Sequence, residues 1–109
     1  MKLTNENNVS VLSLPSEVLG GTQVIEFSSL VEDALSSNPT KVIVDLSDVK
    51  VLNSSGLGMI VGAHTSCTKN KCKLVIAAPS EKILELFKIT NLTQILTIKD
   101  SLESAKNVD

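Results

Sequence analysis

Aromatic side chains are nearly absent from this chain, which has no tryptophan, no tyrosine and only two phenylalanines, Phe27 and Phe87. Proteins that bind single-stranded nucleic acid stack the bases on such rings, so the scarcity disfavours that class. A net charge of -2 at pH 7 leaves no excess of positive charge to attract a phosphate backbone. The composition therefore predicts that nucleic acid is not a partner.

Long apolar runs are also missing. No stretch approaches the roughly 20 apolar residues that cross a bilayer, and residues 1–6 lack the apolar segment of a signal peptide. No run of basic residues is present that would hold the chain on a membrane surface. The sequence predicts a soluble, cytoplasmic protein with no membrane partner.

Cysteine is scarce, because Cys67 and Cys72 are the only two and four residues separate them. Without a secretion signal, a disulfide closing so short a loop is disfavoured. The single histidine, His64, would share a helix face with Cys67, but two candidate ligands without a third do not make a metal site. We expect no disulfide, no metal and no cofactor, and we interpret His64 as a partly buried structural residue.

The 109 residues fit a single domain, residues 1–109, and an apolar fraction of 42% suffices for one core. Alternating apolar residues predict a strand at 9–14, which a turn at 5–8 connects to a short strand at 2–4. Continuous apolar runs are typical of strands covered on both faces. They predict strands at 42–44, 74–78 and 95–98.

Apolar residues at helical spacing predict helices between these strands. The first helix is expected to begin at Thr22, its N-cap, after a flexible approach at Gly20 and Gly21, and to end near Ser36. The third begins after Ser80. An acidic capping box of Asp100 and Glu103 predicts the last. Alternating strands and helices predict an α/β domain with a mixed, partly parallel sheet and about four helices.

The most informative segment, residues 51–58, lies where a strand gives way to the second helix. It places Ser54 and Ser55 where a helix has unpaired N–H groups and a partial positive charge. Ser54 there can act as an N-cap, although Asn53 competes for that position. Alternatively, Ser54 can receive a phosphate on a surface that favours negative charge. The sequence leaves both interpretations open.

The second helix has two contrasting faces at 100° per residue. Gly58 and Gly62 each destabilise the helix by up to about 1 kcal/mol relative to alanine. They are explained either by close packing against a neighbouring element or by a groove beside an exposed Met59 that another protein covers. The predicted core face comprises Leu57, Ile60, Val61, His64, Cys67 and Thr68; the opposite face comprises Ser55, Met59, Gly62 and Ser66, with Gly58 at its margin.

Enzymatic interpretations find little support. His64 lies about three turns from Ser54, so no serine–histidine nucleophile forms locally. Asp45 and Asp48 are typical turn residues, and no phosphate-binding loop with a lysine accompanies them. We expect no enzyme activity. Nucleotide binding or hydrolysis remains the alternative from another class, and a nucleotide titration followed by NMR at Gly56 would test it.

Residues 45–49 (DLSDV) and 53–58 (NSSGLG) together resemble the STAS-domain anti-sigma factor antagonists of bacteria, and residues 78–92 agree in pattern. The resemblance implies an α/β fold without catalysis and a protein that is a monomer when free. It implies that the unphosphorylated form binds an anti-sigma factor that is also a serine kinase, which releases a sigma factor. The kinase then phosphorylates Ser54, and a serine phosphatase restores the binding form.

The resemblance also implies which residues meet the partner. Asn53 stands where the family usually has aspartate, and Leu19 stands where it usually has an acidic residue. A different role in the same family, as a regulatory or adaptor subunit of a lipid-transport ABC ATPase, remains an alternative that neighbouring genes would discriminate. The implied partner-binding residues are Glu17, Asn53, Ser54, Ser55, Gly56, Gly58, Met59 and Gly62.

Overall fold

The computed structural model describes residues 1–108, in which strands and helices alternate. None of the helices in this range has both the length and the apolar character needed to cross a bilayer. The elements are β1 (Lys2–Glu6), β2 (Val9–Ser13), β3 (Glu17–Val18), α1 (Thr22–Ser36), β4 (Lys41–Asp45), β5 (Val51–Leu52), α2 (Ser54–Lys69), β6 (Lys73–Ala77), α3 (Glu81–Ile89), the 3-10 helix Leu92–Gln94, β7 (Thr97–Lys99) and α4 (Leu102–Lys106).

The main sheet has five strands in the order β1-β2-β4-β6-β7. β1 is antiparallel to β2, whereas β2, β4, β6 and β7 are parallel to one another. The short strands β3 and β5 pair in parallel as a separate two-stranded ribbon. The predicted α/β fold with a mixed sheet and four helices is therefore confirmed.

Helices cover the two faces of the sheet unequally. The larger core lies between the sheet and α1, α2 and α3, while Ile43, Val75 and Ala77 point to the opposite face, where Ala105 of α4 covers them. The buried Lys41 of β4 holds α4 against the sheet, because its Nζ donates hydrogen bonds to the carbonyls of Ala105 and Lys106 at 3.1 and 2.6 Å. These carbonyls end the helix, where its dipole favours a cation.

The first hairpin is tighter than predicted. β1 extends to Glu6, and the turn consists only of Asn7 and Asn8, whose φ angles are 52° and 65°. Positive φ at both central residues defines the type I′ turn, which matches the twist of the flanking strands. Asparagine tolerates this conformation better than other residues with a side chain, so the turn at 5–8 shortens to two residues.

Two predicted helix caps are wrong. Thr22 is the first residue of α1, and its N-cap is Gly21, which offers no side-chain acceptor. The cap of α4 is Ser101, whose Oγ accepts the Ser104 N–H at 3.0 Å, one residue after the predicted Asp100. In both places the observed cap lies one residue from the predicted one, so capping composition located the helix but not its first residue.

The last strand is shorter and later than predicted. Residues 92–94 form a 3-10 turn, and the Leu96 N–H bonds the Leu92 carbonyl at 2.8 Å, which keeps 95 and 96 out of the sheet. Asn91 begins this turn with a φ of 61°. β7 therefore pairs with β6 only over Thr97–Lys99.

Cys67 and Cys72 are free, buried thiols that close the end of α2. The Cys72 N–H bonds the Cys67 carbonyl at 2.8 Å, the Lys71 N–H bonds the Thr68 carbonyl at 3.2 Å, and Lys71 has a φ of 56°. This is a Schellman motif, in which the two cysteines are the apolar pair. Burial, with a contribution from Cys72, raises the pKa of Cys67 to about 12, so the thiol remains protonated at neutral pH.

Candidate functional site

Ser54 is the first residue of α2 and is exposed. The Oδ1 atom of Asn53 accepts the Gly56 N–H at 2.9 Å, which makes Asn53 the N-cap of the helix. Within residues 1–108 the Ser54 hydroxyl has no hydrogen-bond partner. The interpretation of Ser54 as an N-cap is therefore wrong, and its hydroxyl points to solvent at the positive end of a helix.

Asn53 has a second contact that explains why an amide stands here. Its Nδ2 donates a hydrogen bond to the Leu19 carbonyl at 3.0 Å, while its Oδ1 caps α2. The two partners, a carbonyl and an N–H, determine the orientation of the amide. A carboxylate could accept the Gly56 N–H but could not donate to Leu19, so Asn53 joins the start of α2 to the loop before α1.

That loop, residues 19–21, is also held from the other side by Gln23. The Gln23 Oε1 accepts the N–H groups of Leu19 and Gly20 at 2.9 and 3.2 Å, and its Nε2 donates to the Glu17 carbonyl at 2.8 Å. The predicted flexible approach is thus a loop with defined hydrogen bonds. Sequence reasoning missed Gln23, although a glutamine in the first turn of a helix is a known capping signal.

Gly20 brings the loop directly against Ser55. A Cβ atom at Gly20 would lie 2.6 Å from the Ser55 Cβ, and the φ of 92° at Gly20 disfavours any residue with a side chain. Ser55 therefore packs against the loop, whereas Ser54 lies 100° around the helix axis. The two adjacent serines are both exposed, but the approach of Gly20 is to Ser55.

A groove with a volume of about 610 Å³ runs between α1 and α2 from Ser55 towards Asn70. A Cβ atom at Gly58 or Gly62 would meet nothing within 4 Å, so neither glycine is required for packing inside this chain. Close packing as the reason for these glycines is therefore wrong. Because they have no side chains, the α2 side of the groove stays open. This agrees with the interpretation that another protein covers the groove.

Met59 forms the floor of this groove and is only 7% exposed. The prediction of an exposed Met59 is wrong, because the buried face of α2 is rotated relative to the predicted stripe. Gly56 lies on this buried face, where a Cβ would lie 2.5 Å from both the Val18 carbonyl oxygen and Leu52 Cδ1. The residues of α2 that are buried are Gly56, Met59, Ile60, Ala63 and Cys67, while Leu57, Val61 and His64 are half-buried and Thr68 is exposed.

Exposed apolar side chains adjoin the loop and the groove. Leu19, Val24 and Ile25 have 45%, 43% and 74% of their surface exposed. Val24 also lines the groove, on the side that α1 forms. Exposed apolar side chains beside an open groove are a feature of protein-binding surfaces. Glu17, on the outer face of β3, adds an exposed carboxylate three residues from Gly20.

No group of histidine, cysteine, aspartate or glutamate that could hold a metal ion is present among residues 1–108. Asp45 accepts the Ser47 N–H at 3.0 Å, which is a local turn at the end of β4. The site therefore consists of an exposed hydroxyl, a hydrogen-bonded loop, an acidic side chain and an apolar groove. Such a combination defines a small α/β domain equipped to bind another protein.

The family model described as the STAS domain matches residues 1–105. The chain belongs to the STAS domain family.

Relatives with known names are similar over different lengths. The anti-sigma-B factor antagonist of Listeria monocytogenes is 39% identical over 57 residues, which are 52% of this chain and 50% of the relative. A Thermotoga maritima protein, provisionally named an anti-sigma factor antagonist, is 29% identical over 87% of this chain and 85% of its own. The match thus spans about half the length of the Listeria relative.

The fold is similar to that of solved structures. The crystal structure of a Thermotoga maritima protein superposes with a TM-score of 0.83 at 27% sequence identity, covering 96% of this chain and 90% of the other. The α/β fold with its mixed sheet and four helices is therefore shared with this protein.

The two bonds of Asn53 lead to a stability prediction. Asn53→Asp is expected to lower the free energy of unfolding by about 0.5–1 kcal/mol, because the lost bond to Leu19 outweighs the favourable charge at the helix start. Asn53→Ala, which loses both bonds, should lower it by about 1–2 kcal/mol. Urea denaturation would measure both values, and an aspartate variant more stable than the wild type would contradict the assigned role of the Leu19 contact.

Proposed function

We propose that the protein is an anti-sigma factor antagonist that is switched by phosphorylation of Ser54. Its unphosphorylated form binds an anti-sigma factor that is also a serine kinase, and this releases a sigma factor. The kinase phosphorylates Ser54 and ends the binding, and a serine phosphatase restores it. The observation that carries the proposal is the exposed, unbonded Ser54 hydroxyl at the start of α2, with the capping position held by Asn53.

The start of α2 suits a phosphate within this domain. Asn53 accepts the Gly56 N–H, so the N–H groups of Ser54 and Ser55 have no partner in the described part of the chain. A phosphoserine carries a charge of about -1.5 to -2 near neutral pH. Unpaired N–H groups and the helix dipole favour that charge, so phosphorylation leaves the fold intact.

The surroundings of Ser54 give each predicted partner-binding residue a role. Glu17 and Ser55 adjoin the loop at 19–21, which Asn53 positions. Gly56 is buried, so it acts by letting α2 start close to β3 rather than by touching the partner. Gly58 and Gly62 keep the groove open above Met59 for a side chain of the kinase. The role requires no catalysis by this chain and takes place in the cytoplasm.

The test is to incubate the protein with its cognate anti-sigma factor kinase and ATP and to locate the phosphate by mass spectrometry. We expect one phosphate, on Ser54, in the peptide that contains both serines. Ser54→Ala should abolish the modification, and the matched control Ser55→Ala should retain it. A phosphate on Ser55, or an unmodified peptide after prolonged incubation with active kinase, would overturn the proposal.

A further inference from the structure

β1 is the longer of the two edge strands of the main sheet. β1 has five residues, continuous pairing with β2 and no bulge, and Lys2, Thr4, Asn5 and Glu6 are exposed. The other edge, β7, has only three residues. Natural proteins shorten, bend, cover or charge such an edge, because its free N–H and C=O groups recruit another strand. Of these devices β1 has only the charges of Lys2 and Glu6, and they are of opposite sign.

The tight turn determines which backbone groups are free. In a hairpin with a two-residue turn, the flanking residues Glu6 and Val9 form the closing hydrogen-bonded pair. Hydrogen-bonded and non-hydrogen-bonded pairs then alternate along an antiparallel ladder. The N–H and C=O groups of Lys2, Thr4 and Glu6 therefore point towards β2, and those of Leu3 and Asn5 point outwards.

A second copy of β1 satisfies these outward groups in one antiparallel register. If Thr4 faces Thr4 of the second copy, Leu3 lies opposite Asn5, and both have outward groups, so the ladder continues. The same register places Lys2 opposite Glu6 of the second copy, twice by symmetry. Shifting the register by two residues in either direction keeps the backbone pairing but separates these opposite charges.

Neither Lys2 nor Glu6 has an ion pair within residues 1–108, so both charges are available. They lie with Thr4 on the sheet face that carries the half-buried Val9 and Val11, where a depression of about 330 Å³ remains open. Pairing across β1 would extend this face and cover part of the depression. Ser54 lies beyond the carboxyl ends of the parallel strands, not at this edge, so it stays accessible.

We infer that two copies of this chain associate through antiparallel pairing of their β1 edges, centred on Thr4, to form a two-fold dimer with a continuous sheet. A five-residue edge buries less surface than a permanent interface, so the dimer forms reversibly at high protein concentration. This inference departs from the free monomer that the family resemblance implies. It does not rest on the proposed function, because it uses none of the residues around Ser54.

The charges provide the first test, by sedimentation velocity from about 10 µM to about 1 mM protein. The wild type should shift towards the dimer over this range. Lys2→Glu places a carboxylate opposite Glu6 at two symmetric positions and should raise the dimer dissociation constant at least about tenfold. Glu6→Lys should do the same, and the double exchange Lys2→Glu with Glu6→Lys should restore the dimer.

A cysteine at the two-fold axis provides a second, geometric test. Thr4→Cys places two thiols opposite each other in a non-hydrogen-bonded pair, the closest approach in an antiparallel ladder, and mild oxidation should give a covalent dimer. Lys2→Cys is the matched control, because its sulfur lies far from that of the second copy. A wild type that remains monomeric at about 1 mM, or equal cross-linking of both variants, would overturn the inference.

Discussion

Replacing Ser54 by aspartate is expected to weaken binding of the anti-sigma factor kinase by about a hundred- to a thousand-fold and to leave the fold intact. This corresponds to roughly 3–4 kcal/mol of binding free energy. In the free protein the added charge lies at the positive end of α2. In the proposed complex the same charge would be buried against a partner that packs on an uncharged hydroxyl, so it would lose water without gaining a counter-charge.

Matched variants separate the charge from the change in shape. Ser54→Asn has nearly the same size as Ser54→Asp but no charge, and Ser54→Ala removes the hydroxyl; both should bind the kinase within a few-fold of the wild type. Calorimetric titration would measure the affinities, and circular dichroism with thermal unfolding would show that all variants are folded. Equal affinities of the aspartate and asparagine variants would show that charge at this position does not control binding.

Gly56→Ala is expected to lower the free energy of unfolding by about 2–4 kcal/mol. The new Cβ would lie 2.5 Å from the Val18 carbonyl oxygen and from Leu52 Cδ1. The carbonyl belongs to the backbone and cannot rotate away, so the start of α2 must move. Urea denaturation would measure the loss, and a variant as stable as the wild type would show that α2 is not held this close to β3.

Gly58→Ala is the matched control, because the same substitution two residues later meets open space. It should raise the free energy of unfolding by about 0.5–1 kcal/mol, since alanine favours the helix. The proposed function adds a second expectation, that Gly58→Ala and Gly62→Ala bind the kinase more weakly although they are more stable. If both variants retain full affinity, the groove between α1 and α2 is not covered by the partner.

Local patterns in the sequence were sufficient for most of the fold. Short apolar runs placed β4 and β6, and helical spacing placed α1 and α2, because these signals depend on neighbouring residues. The motif at 53–58 indicated the start of α2 and the exposed serine. The boundaries were less accurate, since Thr22 and Asp100 are good capping residues that the chain does not use as caps.

The face that α2 buries could not be deduced from spacing. Met59 was expected on the surface, but it lies beneath the groove, on the same buried face of α2 as Gly56, which packs against β3. The hydrogen bonds of Gln23 and Asn53 could not be predicted from spacing either, since their partners lie in the loop at 19–21. Such contacts join segments that are distant along the chain, or that meet only after the loop has formed.

The amino-acid order thus established the α/β class, the order of the main strands and helices and the position of a serine at a helix start, but not the short ribbon of β3 and β5. The tertiary structure decided that Asn53 rather than Ser54 caps α2, and that Gly58 and Gly62 border an open groove. The physical reason is that the sequence around a serine or a glycine is the same whether its position is capped, packed or open to solvent. Only the packing of α1, α2 and the 19–21 loop determines whether it is bonded, buried or free.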